Sequence, residues 1–218
     1  EEADVLVGTQ MIVKGHDFPN VTLVGVLAAD MSLYTGDYRS GERTFQLLTQ
    51  AEGRAGRGDR PGEAVIQTYD PSHYAIRTAA EQDYEAFYEE EIRYRELMGY
   101  PPAESLLAVL VSGGDEALLE KGCHYLREYI LRVISGISFR ENDAEEQNSR
   151  EQAGDPAAQV IGPASPGIDK IKDIYRRVIY IKAEQYSLLV GIKDKIEQYI
   201  EINSGFDRMR IQFDFNPM

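Results

Sequence analysis

The chain of 218 residues is short of several things. It has a single cysteine, Cys123, so neither a disulfide framework nor a cysteine-based zinc site can form within it, and a reducing compartment fits. Basic residues are outnumbered, 23 Lys and Arg against 37 Asp and Glu, for a formal net charge of -14. That balance excludes a protein wrapped in nucleic acid over its whole surface and still leaves room for a local basic groove. No apolar run reaches the roughly 18 residues of a spanning helix, and no signal peptide opens the chain. Neither a G-x-x-x-x-G-K-S/T phosphate loop nor an Asp-Glu-x-His magnesium box occurs anywhere. No internal repeat is evident. An initiating methionine is also missing: "EEADVLVGT" enters an apolar run almost at once, which reads as a piece cut from a longer protein.

What is present is enough for a folded core, with 43% hydrophobic residues. "DVLVGT" (4–9) and "VTLVGVLAAD" (21–30) are near-continuous apolar runs, the pattern of strands buried on both faces of a parallel sheet. "EAVIQTY" (63–69) is a third strand. Between the last two, "RSGERTFQLLTQAEGR" (39–54) places Phe45, Leu47 and Leu48 on one stripe of a helix. Strand–helix–strand grammar of this kind is half of a doubly wound α/β domain. Residues 72–98 read as one long helix with Ser72 as its cap, ended by "GYPP" (99–102) because proline lacks the amide donor.

Beyond that boundary the grammar changes. Strands are expected at 104–113, 159–164, 175–183 and 208–215, and helices at 115–135 and 185–205, with Gly205 as a C-terminal stop. The order β-α-β-β-α-β is the split, ferredoxin-like arrangement, a four-stranded antiparallel sheet with two helices on one face. "RENDAEEQNSREQAGDPAAQ" (140–159) has almost no large apolar residue and reads as a mobile insertion. The expected fold class is α/β: half of a doubly wound parallel-sheet domain over 1–71, a linking helix over 72–102, and then an α+β ferredoxin-like domain over 103–218 with its insertion near 140–158.

Two short stretches carry chemistry. In "GTQMIVKGHDFPNV" (8–21) a hydroxyl, Thr9, and free backbone amides follow a strand, where a phosphate can be held. Asp17, beyond Gly15, is suited to a ribose hydroxyl. An ordinary βα loop would have the same turn residues. "QAEGRAGR" (50–57) is more specific. Arg54 and Arg57 carry permanent charge in a planar fork of donors suited to phosphate. They lie three residues apart, on one helical face or on adjacent turns of a frayed end. Gly53 and Gly56 let something approach the backbone closely, at about 1 kcal/mol each relative to Ala in a helix. A scaffold helix with solvated arginines would gain from alanine there.

Gln50, Gly53, Arg54, Gly56 and Arg57 resemble the Q-x-x-G-R-x-G-R motif VI of superfamily 2 helicases, and "GTQMIVKGHDF" is similar to their motif V. With "DYRSGERTFQLLTQ" (37–50), the chain resembles the primosomal protein N′ family of replication-restart helicases, PriA, over residues 4–102. The resemblance continues in "GPASPGIDKIKDIYRRVIYIKA" (162–183). It implies an ATP-dependent DNA helicase that moves 3′ to 5′, recognises stalled or repaired forks and initiates primosome assembly. This chain would supply the end of the second RecA-like lobe and the C-terminal domain. It implies Arg57 as an arginine finger on the γ-phosphate, Arg54 as its partner, and Gln50 as the residue positioning nucleotide or water. Gly53 and Gly56 would then border the nucleotide, with Gly15 and Asp17 by its sugar. Thr9 and Lys14 would contact the DNA backbone. ATP and magnesium are the implied cofactors of the intact protein, and the family's zinc ligands fall outside this chain. The implied partners are forked and single-stranded DNA, the single-strand-binding protein SSB and other primosome proteins, with no membrane, in a bacterial cytoplasm near the nucleoid. Without the phosphate loop, this chain alone is expected to be inactive. Ala51 and Glu52 depart from the family pattern, and an acid two residues before Arg54 is placed to blunt its charge.

A softer signal sits in the second half. Lys170, Lys172, Arg176, Arg177 and Lys182 face only Asp169 and Asp173 within residues 160–182, a local net of +3 from five minus two. Tyr175 and Tyr180 interleave, a composition suited to single-stranded or branched DNA. Lys170, Lys172, Arg176 and Arg177 are the expected DNA contacts, and a hairpin with solvated charges is the plainer reading. For the chain as a whole, two alternatives stand: a non-enzymatic DNA- or protein-binding module, or another superfamily 2 translocase.

Overall fold

The computed structural model describes residues 4–13, 20–56, 61–145 and 157–217. The chain forms two compact units, 1–94 and 95–218.

In the first unit a short helix α1 (Gln10–Val13) precedes strand β1 (Leu23–Val26). A single 3₁₀ turn at Ala29–Ser32 leads to α2 (Ser40–Glu52), then β2 (Glu63–Ile66), α3 (Tyr74–Ala80) and α4 (Tyr84–Met98). β1 and β2 pair in parallel, Leu23 opposite Glu63 through Val26 opposite Ile66. The core is small: Phe45 and Leu48 of α2, Ala75, Ile76 and Ala79 of α3, and Phe87 of α4, with Val26 and Ile66 packed against them. The strands are covered on this face only. Leu23 and Val65 on the other face are 60% and 50% exposed, so burial on both faces does not hold for the residues described. Residues 4–9, expected as a strand, form no secondary structure. Val5, Leu6 and Val7 are exposed, and no described strand pairs with them, which leaves the backbone without the ladder that would make it a strand.

The helix expected over 72–98 is two. Gln82 takes φ 53, a left-handed conformation that interrupts helical bonding. Asp83 then restarts the helix, its carboxylate accepting from the Ala86 amide at 2.9 Å. The cap of α3 is His73, whose Nδ1 accepts from the Ala75 amide at 3.2 Å. Ser72 instead donates to Asp70.

The second unit holds β3 (Ser105–Gly113), α5 (Glu116–Glu145), β4 (Gln159–Ala164), β5 (Lys170–Ile171), β6 (Ile174–Ala183), α6 (Tyr186–Ile202) and β7 (Arg210–Phe215). The strands lie in the order β4-β6-β3-β7, with β5 added on β6, and every pairing is antiparallel. Alternate residues explain the packing. Leu107, Val109 and Val111 of β3 and Ile179 and Ile181 of β6 point to one face. There they are fully enclosed with Leu119, Cys123, Leu126 and Ile130 of α5 and Leu189, Ile192 and Ile196 of α6. Each fully buried Leu or Ile contributes about 1.5–3 kcal/mol.

Three details differ from the pattern in the sequence. β5 adds a fifth strand. α5 runs on through residues 140–145, which the composition placed in an insertion; residues 146–156 lie outside the described set. α6 ends at Ile202 with Asn203 as its cap, and Gly205 sits inside a following 3₁₀ turn, Ser204–Phe206. The fold is α/β, with a parallel pair in one unit and an antiparallel sheet in the other. Among the described residues, no helix is long and apolar enough to cross a membrane.

Candidate functional site

α2 forms because Thr44, Phe45, Leu48 and Ala51 fall on its buried face, the spacing of one helical stripe. Its outer face ends in Gln50, which is exposed. Gly53 closes the helix, its amide bonding to Thr49 O at 3.0 Å. Residues 53–56 are turn, so Arg54 stands beyond the helix end, where the unsatisfied carbonyls of the last turn favour a cation. Arg54 is half-buried.

The turn is held from the amino-terminal edge of the parallel pair. The Gly56 amide donates to Val21 O at 2.9 Å, and Gly56 itself has φ 74, the left-handed region that favours glycine. On the other side lies Gly62. A Cβ there would sit 2.0 Å from Gly56 N and 2.4 Å from the Ala55 carbonyl carbon. The backbone before β2 thus touches the backbone of the arginine turn, and only glycine permits it. In the sequence Gly62 is only the last residue of "RPG" before a strand; nothing in it reveals this contact. The same topology places the turn at the amino ends of β1 and β2, because α2 returns antiparallel to them.

Glu52, one of the two residues that depart from the family pattern, meets Gln82. Its carboxylate accepts from Gln82 Nε2 at 3.4 Å, and burial raises its pKa above the usual glutamate value. Thr9 is exposed and its hydroxyl accepts from the Met11 amide at 3.5 Å, at the head of α1. Lys14, Gly15, Asp17 and Arg57 lie outside the described residues.

At the carboxyl ends of β1 and β2 a buried acid does the organising. Asp30, 6% exposed, accepts from Thr68 Oγ1 at 2.6 Å, the Tyr69 amide at 3.0 Å and the Asp70 amide at 3.3 Å. The Thr68 hydroxyl and the Tyr69 amide hold its pKa below the usual carboxylate value. The sequence offers only a lone acid at the end of an apolar run.

The basic cluster of the second unit divides into three environments. Lys182 is buried, with Nζ donating to Met98 O at 2.6 Å and lying 3.9 Å from the centre of the Tyr100 ring; burial lowers its pKa. Arg177 has an 11% exposed side chain that spans two carboxylates of α5, Glu120 at 2.5 Å and Glu116 at 3.1 Å. Lys170, Lys172 and Arg176 belong to the β5–β6 hairpin. Lys172 and Asp173 form its turn, both with positive φ, 47 and 62. Lys170 meets Asp173 at 3.0 Å and lies 4.6 Å from the Tyr175 ring centre; its bonds to Asp173 and then Tyr175 raise its pKa. Arg176 Nη1 donates to Ile168 O at 3.4 Å. Lys170 and Lys172 are exposed, as are the isoleucines 168, 171 and 174 around them.

Comparison with known proteins covers both units. The family model described as the primosomal protein N C-terminal domain matches residues 96–218. Curated relatives match nearly the whole chain, and each is named replication restart protein PriA. The one from Bacillus subtilis is 40% identical over 220 residues, 99% of this chain and 24% of the relative. That from Chlamydia muridarum is 49% identical over 217 residues, 100% of this chain and 26% of the relative. That from Borreliella burgdorferi is 31% identical over 218 residues, 100% of this chain and 30% of the relative. The chain therefore spans between 24% and 30% of the length of these relatives.

Proposed function

Since the chain belongs to the family of the primosomal protein N C-terminal domain, we propose that it is part of an ATP-dependent 3′–5′ DNA helicase that recognises stalled or repaired replication forks and initiates primosome assembly. In this reading the first unit is the end of the second RecA-like lobe, and the second unit is a ferredoxin-like domain. The observation that carries it is the arginine turn: residues 53–56 follow the end of α2, with the Gly56 amide bonded to Val21 O just before β1 and the backbone of Ala55 and Gly56 against Gly62. A turn fixed on two sides, with the Arg54 guanidinium beyond a helix end, suits an anion that gains charge during reaction.

A bound nucleotide fits these residues as half a site. Magnesium and the phosphate loop would come from outside this chain, whose sequence has no G-x-x-x-x-G-K-S/T segment. ATP when bound supplies the phosphoryl group that is transferred to water. Arg57 would reach the γ-phosphate and Arg54 the neighbouring phosphates. Gln50 would orient the nucleotide or the attacking water. Gly53 and Gly56 keep side chains out of the approach, and Gly15 and Asp17 would sit by the sugar. Thr9 and Lys14 would meet the DNA backbone.

The second unit would add DNA contacts through Lys170, Lys172 and Arg176, and partners would include single-strand-binding protein and other primosome proteins. Arg177 enters differently: held by Glu116 and Glu120, it would meet DNA only by leaving them, and its present geometry ties β6 to α5. The setting would be the bacterial cytoplasm, close to the nucleoid. The test is unwinding of a forked duplex by the full-length protein. Arg57→Ala is expected to bind the fork and fail to unwind it; unwinding at the unmodified rate would overturn the reading.

A further inference from the structure

α2 is fixed at its far end as well, and by an unusual contact. Gly41 is the second residue of α2, and a Cβ there would lie 2.6 Å from Tyr74 Oη and 2.8 Å from Glu91 Oε2. Tyr74 of α3 donates to Glu91 of α4 at 2.7 Å. Glu91 is 5% exposed. One turn along α2, Phe45 stacks on Phe87, one turn back along α4, with ring centres 4.3 Å apart and planes at 18°. The pairs Gly41 with Glu91 and Phe45 with Phe87 set α4 antiparallel to the first turns of α2. Thr44 adds a bond to Ser32 Oγ at 2.8 Å.

A buried carboxylate is a costly way to pack two helices, because apolar residues would fill the space without desolvating a charge. It does something they do not. Apolar packing holds position through many weak contacts, whereas a hydrogen-bonded carboxylate wedged against a glycine adds a directional contact at one axial position. The carboxylate also sits at the helix end whose amides favour negative charge. From Gly41 to Gly53 the helix spans about 18 Å at ~1.5 Å per residue, and a helix of that length transmits a shift of its first turn to its last. A displacement of about 1 Å at a reacting group is enough to cost two orders of magnitude in rate.

We propose that the Tyr74–Glu91 pair, seated against Gly41, is the axial stop of α2, and that these three are positioning residues for Gln50 and Arg54. The proposal rests on the nucleotide reading of the arginine turn. It assigns no contact with nucleotide to any of the three.

The test is steady-state ATP hydrolysis by the full-length protein with saturating DNA. Gly41→Ala pushes against the pair and is expected to lower kcat about tenfold, with KM for ATP and fork affinity within about twofold of the parent, as a displaced catalytic end requires. Adding Tyr74→Phe removes the hydroxyl at 2.6 Å and leaves the ring carbon at 3.4 Å. Glu91 Oε2, at 2.8 Å from the new Cβ, then loses its tyrosine donor and can turn aside, so the double variant is expected to recover to the two- to fivefold deficit of Tyr74→Phe alone. A parent kcat in Gly41→Ala overturns the proposal, and so does a loss that Tyr74→Phe fails to recover. Should Gly41→Ala not fold, Tyr74→Phe alone decides: a two- to fivefold lower kcat supports the stop and an unchanged kcat overturns it. Arg57→Ala measured alongside separates the failures. Full hydrolysis there removes the active-site reading, whereas loss there beside a parent kcat in the other variants removes only the stop.

Discussion

At Gly62 one methyl group would have to occupy the space of the Ala55–Gly56 backbone, 2.0 Å from an amide nitrogen. Gly62→Ala is therefore expected to destabilise the first unit by about 1–3 kcal/mol, the usual range for overpacking, and to move the arginine turn. Thermal unfolding and full-length hydrolysis should fall together, and parent values of both would remove Gly62 from the account. Asp30 makes a prediction in pH. Its folded pKa is depressed by Thr68 and Tyr69, so its contribution to stability is complete above the unfolded value of about 3.9 and is lost as pH falls through the lower folded value. Asp30→Asn should lower stability at neutral pH and flatten the dependence below about pH 4. Acid titrations followed by circular dichroism would show it; parallel curves for the two proteins would contradict it. Neither residue was legible as a site in the sequence, because each acts through chain that is distant in number: Asp30 through residues 38 to 40 positions on, Gly62 through a turn on the other side of a loop.

Elements were legible where an apolar stripe and a local signal agreed. α2 was readable from Phe45 and Leu48, and β3 and β6 from their apolar runs. The expected helix over 72–98 failed at Gln82 and Asp83, polar residues that fit an exposed helix face equally well. The expected strand over 4–9 failed because strand formation depends on a partner, which no run of six residues can display. The basic cluster shows the same limit for charge. Five basic residues are visible in the sequence, but their partners are not: Glu116 and Glu120 meet Arg177 from 61 and 57 positions away. The division makes a prediction. Replacing Lys170, Lys172 and Arg176 together by alanine should weaken fork binding at low salt by about tenfold or more and reduce its salt dependence. Arg177→Ala should instead lower stability by about 1.5–3 kcal/mol, the range for hydrogen bonds to charged groups, which urea unfolding would measure. The reverse pattern in anisotropy and unfolding would mean that Arg177 leaves its carboxylates for DNA.

For the whole molecule, the acidity of the chain and the placement of its cations belong together. A net charge of -14 opposes polyanions over most of the surface, so in the proposed reading the local cations would take them: nucleotide phosphates at the arginine turn, and DNA at Lys14 and the β5–β6 hairpin. In the proposed reading the arginine turn is half of a site, with close contacts at Gly62 beside the turn and at Gly41 at the other end of α2, and the phosphate-holding half would come from outside this chain. The most direct test is single-turnover hydrolysis of ATP by the full-length protein bound to forked DNA, comparing the parent with Arg57→Ala. The account predicts a rate lower by about 10³-fold or more, the range for a phosphoryl-transfer arginine, with ATP affinity changed only a few-fold. Hydrolysis within threefold of the parent rate would contradict it.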